Sequence, residues 1–112
     1  MDILKDKKTE ILAEAILALK TPNETRRFLR DLLTESEIAE FGNRFAVARM
    51  LDEAVPYSSI VRQTGLSSTT VARVSKWLNT GMNGYRTIID RLNLNHHHLS
   101  HARAGKGLSL HS

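Results

Sequence analysis

With 112 residues and a formal net charge of +4, the chain has room for one domain with a modest core, and self-association would add the burial that a small domain lacks. The absence of cysteine excludes a disulfide framework, a thiolate metal site and a cysteine nucleophile, and makes the cytoplasm the expected compartment. Apolar runs such as Ile11 to Leu19 are interrupted by Glu14 and fall short of the roughly 20 residues a bilayer requires, and the acidic N-terminus lacks the charge order of a secretion signal, so no membrane segment is expected.

From Ile3 to Lys20 the residues Leu4, Ile11, Leu12, Ala15, Ile16 and Leu19 follow three-four spacing, which predicts an amphipathic first helix. Thr21-Pro22-Asn23-Glu24 restarts the chain: Thr21 caps free amides, proline suits the first helical position and Glu24 completes a capping box. A second helix then runs to about Leu33. Thr34-Glu35-Ser36-Glu37 repeats the box, and Ile38, Phe41, Phe45, Ala48 and Leu51 mark a long third helix that ends before Pro56. Gly42 inside that helix points to close packing against another helix or to a tolerated surface glycine. Beyond Pro56 lie a short helix over 57–64, a turn at Gly65-Leu66-Ser67, a second short helix over 68–79, a break at Gly81 to Gly84, and a last helix carrying Tyr85, Ile88, Ile89 and Leu92. From residue 95 the composition predicts a flexible tail, so the expectation is one all-α domain over 1–94 followed by a tail over 95–112.

The charge is unevenly placed. Residues 1–56 hold 9 Lys/Arg against 11 Asp/Glu, whereas 57–112 hold 7 basic residues against Asp90 alone, together with all five histidines. A polyanion would meet the second half. That half carries the pattern of a helix-turn-helix, which needs a glycine at its tight turn and apolar residues at set inward positions. Ile60 and Val61 anchor the first helix, Gly65 makes the turn, Leu66 plugs it, and Val71, Val74 and Leu78 pin the second helix over a motif of about 57–78. Ser67, Ser68, Thr69, Thr70, Ala72, Arg73, Ser75 and Lys76 then project outward, a face of hydroxyls and cations; no carboxylate occurs from Ser58 to Ile89. Ser68, Thr69, Thr70 and Ala72 suit base edges and the thymine methyl, Arg62, Arg73 and Lys76 suit phosphates, and Ser58 and Ser59 support them from the preceding helix.

Leu33-Thr34-Glu35-Ser36-Glu37, then Phe41-Gly42-Asn43-Arg44, then the stretch from Gly65 to Leu78 resemble the Trp-repressor family, in its YerC/YecD-type branch, over roughly Leu29 to Leu92. The resemblance implies an interlocked two-fold dimer that presents two recognition helices to successive major grooves. It also implies a co-repressor pocket in which Arg44 and Arg73 would sandwich an indole beside Thr34. Val74 and Trp77 depart from that pattern, because they stand where the family's repressor has a glycine and a serine that leave room for ligand. Trp77 is then expected either to take the space of a free tryptophan or to pack in the core, so that tryptophan is not the effector, and Arg44 and Arg73 become salt-bridging residues or ligand contacts.

His96, His97, His98 and His101 could gather a transition metal, but no carboxylate follows Asp90 to complete a site and Gly105 and Gly107 favour flexibility, so they read as a solvated tail and no metal is assigned. There is no phosphate-cradling glycine loop and no nucleophile–base arrangement, and Glu35, Glu37 and Glu40 read as favourable negative charge at a helix start, so no enzymatic activity and no cofactor are expected. The reading is a homodimeric regulator of transcription that binds double-stranded DNA. The alternative is a helical dimer that recognises a protein through its basic face.

Overall fold

The structure is a computed structural model that describes the backbone from Asp2 to Ala104 and the side chains as far as Asn95. Among the described residues all regular structure is helical: a 3-10 turn over Ile3–Lys5, then α1 (Lys7–Leu17), α2 (Pro22–Leu32), α3 (Glu35–Asp52), α4 (Tyr57–Thr64), α5 (Ser68–Thr80) and α6 (Gly84–Ala104). The chain divides into two compact units between Glu40 and Phe41.

Capping residues set the first unit. The single helix expected from Ile3 is broken at Asp6, whose carboxylate accepts from the Lys8 amide at 3.1 Å and so competes with a continuous helix for the backbone donors. Thr21 Oγ1 accepts from the Glu24 amide at 3.1 Å, but Glu24 Oε1 reaches back to the amide of Lys20 rather than to that of Thr21. At Thr34 the box is reciprocal: Thr34 Oγ1 accepts from the Glu37 amide at 3.1 Å and Glu37 Oε1 accepts from the Thr34 amide at 2.9 Å. Arg30 closes the corner between α2 and α3 by donating to the Leu33 carbonyl and to the Glu35 carboxylate. No residue of α1 or α2 is buried within the chain, and Ile11 and Ile16 on the apolar stripe of α1 are 55% and 53% exposed.

The second unit holds the core. Val47 and Ala48 from α3, Ile60 from α4, Val71, Val74 and Leu78 from α5 and Ile89 from α6 are buried, and Phe45, Met50, Leu51, Val55, Val61, Leu66 and Tyr85 pack around them. The Phe45 and Tyr85 rings stack with centroids 6.3 Å apart. Arg86 at the start of α6 donates to Asp52 at the end of α3, which locks the two ends together with a half-buried ion pair. Gly42 is exposed and a Cβ there would meet nothing among the described residues, which fits the second of its two readings, a tolerated surface glycine. The last helix does not stop near Leu92: its backbone continues to Ala104, since neither glycine nor proline occurs between Asn93 and Ala104 to end it. Residues 105–112 lie outside the described residues, as do the side chains of His96, His97, His98 and His101.

Candidate nucleic-acid interface

The α4–α5 pair is built by its turn. Helix α4 ends at Gly65, which adopts the left-handed conformation at φ 74° while its amide donates to the Val61 carbonyl at 2.9 Å. Thr64 Oγ1 donates to the Ile60 carbonyl and accepts from the Leu66 amide, and half-buried Leu66 packs against the core. Helix α5 opens on Ser67, whose Oγ accepts from the Thr70 amide at 3.1 Å and lies 3.0 Å from Thr70 Oγ1. The hydroxyls of Ser67 and Thr70 are therefore engaged with each other, and Thr70 is half-buried. It belongs to the cap as much as to the outward face on which the sequence placed it.

The inward triplet Val71, Val74 and Leu78 fixes the rotation of α5 about its axis. Ser68, Thr69, Ala72, Arg73 and Lys76 accordingly stand exposed on the other side, with Ser75 half-buried at the margin. On α4, Ser58 and Arg62 are exposed, while Ser59 is half-buried and its Oγ accepts from Gln63 Nε2 at 2.8 Å. Arg62, Arg73 and Lys76 form no ion pair among the described residues, so each cation faces solvent. Thr69, Ala72, Arg73, Lys76 and Trp77 line an open hollow of ≈ 370 Å³ on this surface, with the small side chain of Ala72 among the longer ones.

Four of the five residues expected to frame an effector pocket lie in the second unit. Arg73 and Trp77 meet in the surface hollow, but Val74 is 3% exposed and belongs to the core. Arg44 holds its guanidinium 5.5 Å from the centre of the Phe41 ring, and Thr34 lies in the first unit as the cap of α3. Trp77 is 52% exposed, so of the two places expected for it, the core of its own chain is not the one it takes. Adjacent positions on a helix differ by about 100°, so a buried Leu78 turns its predecessor toward solvent. The Lys76 ammonium sits 5.6 Å from the centre of the Trp77 ring. Sequence reasoning missed this contact, and it missed the Asp52–Arg86 pair, which joins positions 34 apart with no local signal.

The model of the Trp repressor protein family matches residues 7–93. The chain belongs to the Trp repressor family. It is 40% identical over 92 residues to the uncharacterized protein YerC of Bacillus subtilis (strain 168), covering 82% of this chain and 88% of that one. Among solved structures it is similar to a TrpR-like protein from Eubacterium eligens, at 41% identity and a TM-score of 0.77 over 80% of this chain and 93% of that chain. A candidate Trp repressor from Staphylococcus aureus superposes with a TM-score of 0.76 at 35% identity over 83% of this chain and 95% of the other. The family assignment thus agrees with the resemblance read from the LTxxE, GxR and helix-turn-helix segments. No described helix is long and apolar enough to cross a membrane.

Proposed function

We propose that the protein is a sequence-specific DNA-binding regulator of transcription, a repressor, acting as a homodimer in the cytoplasm. One observation carries this reading: the exposed side of α5 is held outward by Val71, Val74 and Leu78 and presents Ser68, Thr69, Ala72, Arg73 and Lys76 with no carboxylate among them. A helix so equipped suits the major groove, where Ser68, Thr69 and Ala72 meet base edges and Arg62, Arg73 and Lys76 meet phosphates. Membership of the Trp repressor family supports the same reading. The homodimer is supported by the exposed apolar stripe of α1, since a chain that leaves Ile11 and Ile16 in water gains by covering them with a second copy. Free tryptophan is not the effector in this reading, because the branched side chain of Val74 stands where the family's repressor has a glycine that leaves room for ligand. The test is selection of bound duplexes from a random library at near-physiological salt. A two-fold motif with half-sites about one helical turn apart is expected, and uniform recovery of all sequences would overturn the claim of specificity.

A further inference from the structure

We propose that Trp77 itself contacts DNA, its indole lying on the sugar–phosphate backbone with Nε1–H donated to a phosphate oxygen. This inference rests on the DNA-binding reading of α5 and adds a residue that the reading did not include. Trp77 is half exposed on the side of the helix that carries the cations, and its Nε1–H has no hydrogen-bond partner among the described residues. It walls the hollow together with Thr69, Ala72, Arg73 and Lys76. An indole is a large apolar surface with a single donor, and a deoxyribose face beside an anionic oxygen matches both properties.

Position along the helix selects backbone over base. Residues near the start of a recognition helix reach base edges, and Trp77 lies eight positions after Thr69, which at 1.5 Å per residue is about 12 Å farther along the axis. That distance is close to the width of the major groove, about 12 Å, so a helix with Thr69 inside the groove carries Trp77 toward the phosphate wall. Lys76, held against the indole ring, supplies the positive charge that draws a phosphate to the same place. No acidic residue occurs between Ser58 and Ile89 to oppose it.

Trp77 is the sole tryptophan, so its fluorescence reports on this contact alone. A fluorescein-labelled duplex recovered by selection from a random library would be titrated with the wild-type protein, W77F and W77A, after circular dichroism has shown that each variant is folded. Anisotropy reads binding, and acrylamide quenching of the wild-type emission reads shielding of the indole. The expectation is that bound duplex shields Trp77 from acrylamide, that W77A weakens binding about tenfold on the selected and on a scrambled duplex alike, and that W77F, which keeps the ring face, recovers part of the loss. Because no charge is removed, the dependence of affinity on salt should be unchanged in W77A. Binding by anisotropy without shielding, or W77A binding as tightly as wild type, would overturn the proposal while leaving the DNA-binding reading intact. Shielding that grows with protein concentration in the absence of DNA would overturn it in favour of burial against a second copy. No binding of any duplex would overturn the proposal and the DNA-binding reading together.

Discussion

Replacing Gly65 with alanine isolates the cost of the turn. The residue sits at φ 74°, and an added Cβ would meet no atom within 4 Å, so neither a clash nor a lost contact enters the balance. What remains is the left-handed conformation, which costs an L-residue about 1–2 kcal/mol. For a domain of this size that is a fall in Tm on the order of 5–10 °C. The assay is urea and thermal denaturation followed by circular dichroism at fixed protein concentration, since any dimer ties stability to concentration. The reciprocal substitution is available at Ala54, which holds φ 61° in the α3–α4 connection, so Ala54→Gly relieves the same strain and should gain up to about 1 kcal/mol. If Gly65→Ala proved neutral, the turn would be free to adopt another conformation and the fixed geometry of the α4–α5 pair would be refuted.

Four further outcomes follow from the same geometry. Ile60→Ala, at a fully buried position, should cost about 2–5 kcal/mol of stability in urea denaturation, and a loss below the low end of that range would show that the core is not packed as described. Ser67→Ala should cost about 1 kcal/mol through loss of the α5 cap, read by the same denaturation. Lys76→Ala should weaken binding to all duplexes and lower the slope of log affinity against log salt by about one unit, read by anisotropy titration; an unchanged slope would remove Lys76 from the phosphate contacts. Ile16→Glu on the exposed stripe of α1 should shift the protein toward monomer in sedimentation equilibrium, and an unchanged mass would exclude that stripe from the dimer contact.

Local signals made most of the helical order legible. The caps at Thr21 and Thr34 and the glycine at position 65 each act through the backbone of their own turn, so the sequence alone located α2, α3, α4 and α5 within a residue or so. The inward positions Ile60, Val71, Val74 and Leu78 followed from helical spacing, and the exposed face opposite them followed as its complement. What depends on competition between nearby groups was less visible. Asp6 takes an amide that the expected first helix would have used, and Glu24 bonds one residue earlier than a simple box implies. The orientation of Trp77 stayed open because its bulk suits either the effector space or the core, whereas its neighbour Leu78 takes the inward position. The Asp52–Arg86 pair was invisible because it depends on where two distant helix ends arrive in space.

The central claim, that the outward face of α5 reads DNA, is tested most directly by sequencing the fragments of random duplex that the purified protein retains at near-physiological salt, side by side with a variant carrying Thr69→Ala and Arg73→Ala. A two-fold motif enriched by the wild type and lost or altered in the variant is the predicted result. The same motif from both proteins, or no motif from either, would contradict it.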